Sequence, residues 1–168
     1  MANPIRIKTA IAAAAAACAF ATPAVAGTQS SNLGVSATVN ANCTISTSPL
    51  AFGPVDTLSA TAVTGTGSVS IACTSGSSWT ATADIGAGSG ASFAGRRMTA
   101  GGNTLNYNLF TDSGYANVWG DGSGTTATIA STGTGSAQAI TIYGRVPGGQ
   151  STVPAGSYAD TVSVTVTY

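Results

Sequence analysis

Apolar and hydroxyl residues alternate along most of the chain. From Leu33 the odd positions carry Leu33, Val35, Ala37, Val39, Ala41, Cys43 and Ile45, and every even position between them is Asn, Gly, Ser or Thr. At the far end Tyr158, Val162, Val164, Val166 and Tyr168 share one face, interrupted only by Asp160, while Ala159, Thr161, Ser163, Thr165 and Thr167 share the other. A period of two sends successive side chains to opposite faces of an extended strand, so each stretch predicts a strand with one buried and one wetter face. Between them the same signal recurs in shorter runs. Val69, Ile71 and Cys73 share a face, then Trp79, Ala81, Ala83 and Ile85, then Leu105, Tyr107 and Leu109 with Phe110 opposite, then Ile140 and Ile142. Turn chemistry separates the runs at Ser75-Gly76-Ser77, Gly86 to Gly90, Asp121-Gly122 and Pro147-Gly148-Gly149. Short strands punctuated in this way predict an all-β sandwich or barrel.

The first alternating stretch is longer than most strands, which run about 3–10 residues. It divides into an N-terminal segment ending near Val39 and a first domain strand from about Cys43, closed where Phe52-Gly53-Pro54 stops the ladder. A Ser/Thr/Gly loop is expected from there to Thr66, and the last strand is expected to run from Gly156 to Tyr168. So apolar a closing strand needs a neighbour, because an unpaired strand edge is a template for another strand.

The start of the chain changes the compartment. Arg6 and Lys8 precede an Ala-rich apolar core from Ala10 to Ala21, and Ala24-Val25-Ala26 offers an A-x-A cleavage site, so residues 1–26 are expected to be an export signal cleaved after Ala26. The apolar run is too short to span a bilayer. A lipoprotein signal with Cys18 lipidated is the alternative, weakened by Ala15 where a larger aliphatic is usual. The expected organisation is a signal over 1–26, an N-terminal segment over 27–40 and one domain over 41–168.

Beyond Ala26 the only cations are Arg96, Arg97 and Arg145, against five Asp and no Lys, Glu or His. Nucleic acid is therefore a poor partner, since phosphate neutralisation needs clustered Lys and Arg. Charged residues make up 6% of the chain, far below the roughly 25% of ordinary globular proteins, so little charge repulsion holds copies apart. The two remaining cysteines, Cys43 and Cys73, most simply form one disulfide in an exported chain. Its loop would be worth about 3–4 kcal/mol. Two free thiols or a metal site are the alternatives, although zinc wants four ligands and there is no His.

No catalytic, metal or cofactor motif emerges. Without His there is no Ser-His-Asp or Cys-His arrangement, and no P-loop or dinucleotide fingerprint is present. Arg96-Arg97 is the one cationic pair; it suits pairing with Asp84 or Asp112, or plain solvation, better than ligand binding. Asp112 and Asp121 could ligate calcium or act as a carboxylate pair, but Asp121 sits in a Gly-rich turn where Asp is at home. Trp79 and Trp119 could stack on sugar, although Trp79 lies on an apolar face and suits a core. Asn42-Cys43-Thr44 matches a glycosylation sequon, poorly placed in a strand beside a cysteine.

Several segments together are more specific. They are Cys43-Thr44-Ile45, Phe52-Gly53, Val69 to Thr74, Leu105 to Phe110, Trp119 to Gly122, Tyr143-Gly144-Arg145-Val146-Pro147, and Gly156-Ser157-Tyr158-Ala159-Asp160 with its Val/Thr tail. From Leu33 to Tyr168 the chain resembles the spore-coat-protein-U domain family, which includes major subunits of archaic (Csu-type) chaperone–usher pili. The resemblance implies an incomplete immunoglobulin-like β-sandwich, completed by a donated strand. A periplasmic chaperone would lend that strand first, an outer-membrane usher would assemble the subunits, and the N-terminal segment of another copy would replace the chaperone's strand in a surface fibre serving adhesion or biofilm formation. On that resemblance Leu33, Val35, Ala37 and Val39 are the donated side chains, and Val162, Val164, Val166 and Tyr168 line the edge that accepts them.

Two rivals remain at this point. A small outer-membrane β-barrel also alternates and often ends on an aromatic, but aromatic residues make up only 7% here and form no girdle. A monomeric secreted coat or carbohydrate-binding sandwich is the other.

Overall fold

The computed structural model describes residues 25–168, and most of the expected export signal lies outside them. Ala26, the expected cleavage residue, is exposed and outside any strand. The chain divides into two units after Ala37. Residues 25–42 carry no strand and each is exposed.

The second unit is all strand and turn among the described residues. In chain order the strands are β1 Cys43–Ser48, β2 Val63–Cys73, β3 Ser78–Ala83, β4 Arg96–Ala100, β5 Asn103–Phe110, β6 Ile129–Thr132, β7 Ala137–Val146 and β8 Val164–Thr167. They form a five-stranded sheet in the order β1-β2-β7-β5-β4 and a three-stranded sheet in the order β6-β3-β8. All the strand pairs are antiparallel. The expected all-β, immunoglobulin-like class of fold is what forms, and the eight strands do not close into a barrel.

The core follows the alternation. Val69, Ile71 and Cys73 of β2, Leu105, Tyr107 and Leu109 of β5, and Ile142 and Val146 of β7 are buried from the large sheet. Trp79, Ala81 and Ala83 of β3 are buried from the small one, joined by Trp119 from the loop after β5. Trp79 is the core residue its apolar face suggested. Trp119, a candidate for sugar stacking, is only 1% exposed, and its indole N–H donates to the Ala81 carbonyl at 3.3 Å.

Several expectations need correction. β1 stops at Ser48, well before Phe52-Gly53-Pro54. The reason lies opposite: the core face of β2 and β7 carries Gly65, Gly67 and Gly144 where side chains would stand, and the chain after β1 folds over to fill that space. A Cβ on Gly144 would lie 2.7 Å from Leu50 Cδ2 and 2.8 Å from Phe52 Cζ, so only glycine admits them. β2 accordingly begins at Val63, inside the expected loop, because a glycine-rich strand paired with β7 can carry these insertions. The closing strand is short, with β8 spanning only Val164–Thr167, although Ala159 makes an isolated bridge with Thr99. Ile85 falls just beyond β3 and is 38% exposed. β6 was hidden in a Thr/Gly/Ser stretch with little apolar signal.

Candidate strand-accepting groove

Among the described residues each sheet has two edge strands, β1 and β4 in the larger and β6 and β8 in the smaller, and residues of β1 and β8 border one cavity. β1 pairs only with β2, and β8 pairs only with β3, through Thr80↔Thr167 to Ala83↔Val164. A cavity of about 1160 Å³ is lined by residues from both edges: Thr47 and Ser48 close β1, and Val162 and Val164 belong to the closing stretch. Core side chains from the large sheet, including Val69, Leu105, Leu109 and Ile142, together with Trp119, form part of the lining. The Leu50–Leu58 segment and the Val153–Thr161 segment supply the rest. An unpaired edge next to apolar core side chains is the geometry in which an extended chain gains both main-chain hydrogen bonds and side-chain burial.

The closing motif Gly156-Ser157-Tyr158-Ala159-Asp160 holds one wall of this cavity. Tyr158 donates from its hydroxyl to the Pro154 carbonyl at 2.8 Å, and Ala159 and Thr99 exchange backbone bonds at 2.8 and 3.2 Å. Asp160, the one break in the alternation, accepts three bonds. The Tyr107 hydroxyl donates to Oδ2 at 2.6 Å, and the backbone N–H groups of Ala87 and Thr161 donate to Oδ1, both at 2.8 Å. Burial, and then the bond to Asp160, push the Tyr107 phenol far above its ordinary value, so it remains a donor throughout the range in which proteins fold.

Arg96 is the largest departure from the expected picture. Neither solvated nor paired with a carboxylate, it is 0% exposed. Its guanidinium donates to the Asp84 carbonyl at 3.0 and 2.6 Å, to the Trp119 carbonyl at 2.7 Å and to Asn108 Oδ1 at 2.8 Å. It also lies 5.5 Å from the centre of the Phe93 ring. Burial lowers its pKa from the ordinary value, opposed by the nearby Tyr107, Asp84 and Asp160; a guanidinium stays charged regardless. Arg96 thus ties the start of β4 to the end of β3 and the Trp119 loop. A side-by-side Arg pair gave no sign that one member faces inward; its place on a short strand beside Tyr107 decides that.

The remaining predicted residues fall as follows. Cys43 and Cys73 are directly opposite in the β1–β2 register and are joined by a disulfide, from the start of β1 to the end of β2. Leu33, Val35 and Val39 are 88%, 87% and 82% exposed, and Ala37 is exposed too. Val162 and Val164 line the cavity, Val166 packs against the core, and Tyr168 is 56% exposed. Asp112 and Asp121 each cap a turn. Asp112 accepts from the N–H groups of Gly114, Ala116 and Asn117, and Asp121 from that of Ser123. Leu50, Phe52, Asp160 and Asn108 escaped the sequence reading as site residues. The glycines facing the first two were the available signal.

Comparison with known proteins settles the family. The Spore Coat Protein U domain model matches residues 29–165. The chain belongs to the spore coat protein U domain family. A relative within reach of sequence, "Protein U" of Myxococcus xanthus, is 40% identical over a 179-residue alignment covering 96% of this chain and 98% of that protein. Among solved structures, a chain of the CsuC–CsuE chaperone–tip adhesion subunit pre-assembly complex, from archaic chaperone–usher Csu pili of Acinetobacter baumannii, superposes with a TM-score of 0.58 at 22% identity. The match covers 78% of this chain and 40% of that one, and it establishes a shared fold. The family to which the chain belongs is not an enzyme family.

Proposed function

We propose that this protein is a subunit of a surface fibre built by donor-strand exchange. In this scheme the groove between β1 and β8 receives an extended strand, first from a periplasmic chaperone and then from the Leu33–Val39 segment of another copy. An outer-membrane usher directs the exchange, and the fibre serves adhesion or biofilm formation at the cell surface. The observation that carries this reading is the pairing of an apolar cavity flanked by two free strand edges with an exposed segment that alternates in step with it. The fold neighbour's origin in a chaperone–subunit pre-assembly complex supports a chaperone as first partner. Burying Leu33, Val35 and Val39 at about 1.5–3 kcal/mol each would contribute roughly 5–9 kcal/mol as an upper figure, before main-chain bonds are added.

The test is a face-specific substitution series scored for chaperone binding and for fibres separately. Deleting residues 27–39 is expected to leave the chaperone complex intact and abolish fibres. Val35→Asp and Val39→Asp should act alike, since a charge driven into an apolar groove costs several kcal/mol unless paired. Ser36→Asp and Thr38→Asp, on the opposite face, should be far milder. Equal damage from both faces, or a deletion that unfolds the domain, would overturn the proposal.

A further inference from the structure

The outer face of the five-stranded sheet carries a second cavity, of about 710 Å³, between β4, β5, β7 and the loops beside them. Cross-strand register places its polar residues in one diagonal: Arg97 opposite Asn106, and Asn108 opposite Arg145. Arg97 and Arg145 therefore stand on strands either side of β5, about 12 Å apart from two strand spacings and a two-residue offset, and both line the cavity. Residues 25–168 contain three cations, and Arg96 is buried. Every cation of the described residues that reaches solvent thus borders this one cavity, and no carboxylate lines it.

The neighbouring loop is built around Arg145. Tyr115 is the sole non-glycine residue with a positive φ among the described residues, at 57°. A bulky residue held there is strained by about 1–3 kcal/mol. The strain is held by Asp112, whose carboxylate is engaged by three backbone N–H groups of the same loop. What this achieves is placement of the Tyr115 ring: it meets Phe110 edge-on at 5.4 Å, and Arg145 lies 5.7 Å from its centre. The Arg145 guanidinium has no hydrogen-bond or carboxylate partner among the described residues, so its donors are oriented over Tyr115 and free. Arg97 gives one bond to the Ser89 carbonyl at 3.2 Å and keeps its other donors.

We propose that this cavity binds the acidic groups of a carboxylated or sulfated polysaccharide. Two guanidiniums on a rigid sheet match the multiply accepting carboxylate or sulfate groups of such a polymer. Asn106 and Ser92 beside them suit sugar hydroxyls, and the largest apolar side chain of the lining, Phe110, is already buried. Two cations in a chain with more carboxylates than arginines are too few for nucleic acid.

The experiment passes the exported, disulfide-bonded full chain over immobilised polygalacturonate, dextran sulfate, neutral dextran and polyglutamate. Retention on one or both acidic glycans, released by salt, with none on dextran, is expected; whichever acidic glycan binds more tightly identifies carboxylate or sulfate as the group read. Arg97→Gln and Arg145→Gln should each weaken binding about tenfold or more. Tyr115→Gly is the discriminating variant, because it relieves the backbone strain. It should leave the melting temperature unchanged or higher while still weakening binding through Arg145. Failure of the native chain to bind, equal binding by Arg145→Gln or by Tyr115→Gly, or retention on dextran would overturn the proposal. Equal retention on polyglutamate would do so too, assigning the face to an acidic protein. None of these readouts depends on fibre formation, so this site and the strand-accepting groove stand or fall separately.

Discussion

The stretches Leu33–Val39 and Val69–Cys73 carry the same binary pattern and meet opposite fates. In the first, Leu33, Val35 and Val39 are 82–88% exposed and no strand forms. In the second, Val69, Ile71 and Cys73 are 3%, 0% and 2% exposed within a strand paired on both sides. Alternation therefore specifies that a stretch fits a half-buried strand. It does not specify that a partner edge is present. The buried stretch has β1 and β7 beside it and a disulfide at its end, while the other stretch has no ladder at all.

The difference is sharpest under a charge. Ile71→Asp would bury a carboxylate with no partner, at a cost above about 4 kcal/mol, and urea unfolding of the exported chain should show the fold lost. Val35→Asp should leave the same transition within about 0.5 kcal/mol, since the side chain is solvated. A comparable loss from both would mean that Val35 is part of the core after all, and the contrast would collapse.

Next in size is a buried charge that already has partners. Arg96→Ala should cost about 3–5 kcal/mol, because the Asp84 and Trp119 carbonyls and Asn108 Oδ1 lose their donor inside the protein. Arg97→Ala, its neighbour on the outer face, should cost far less. Similar unfolding midpoints for the two would show that burial is not what separates them. Somewhat smaller again, Cys43→Ser or Cys73→Ser should remove about 3–4 kcal/mol of loop-closure stabilisation, seen as a lower midpoint in non-reducing urea titration. A midpoint that does not move would mean that the β1–β2 ladder alone fixes these strands.

How much of this was visible in the sequence follows from the same physics. The β2, β3, β5 and β7 cores were legible because large apolar residues alternate there with polar ones. β4 and β6 were not: one opens on two arginines, and the other reads Ile-Ala-Ser-Thr, so neither displays a period of two. The filling of Gly65, Gly67 and Gly144 by Leu50 and Phe52 is a long-range fit that local patterning cannot report. An accepting groove is implied by the family resemblance and by the apolar closing stretch; the cavity's wall at Val153–Asp160 depends on hydrogen bonds from Tyr107, Ala87 and Thr99 that no spacing encodes.

The smallest expected effect lies in the turns, where side chains and not ladders hold the backbone. The hydrogen bonds that Asp112 accepts from Asn117 and Ala116 hold its carboxyl below the ordinary value of 3.8, and those that Asp121 accepts from Ser123 do the same. A carboxyl with a depressed folded pKa contributes stability above its unfolded pKa and loses it as pH falls through the folded one. Both turns should therefore be unchanged from neutral pH down to the ordinary carboxylate range, and loosen only below it. The readout is amide hydrogen exchange, corrected for its intrinsic pH dependence, at Ala116 and Asn117 against Ile71 and Ala72. Acid should release the loop amides before the strand amides, and Asp112→Asn should reproduce part of that release at neutral pH. If loop and strand amides open together, the Tyr115 loop is held by the sheet and not by Asp112. The strain at Tyr115 would then need another support, because a carboxylate that can be protonated without consequence is not what holds the ring against Arg145.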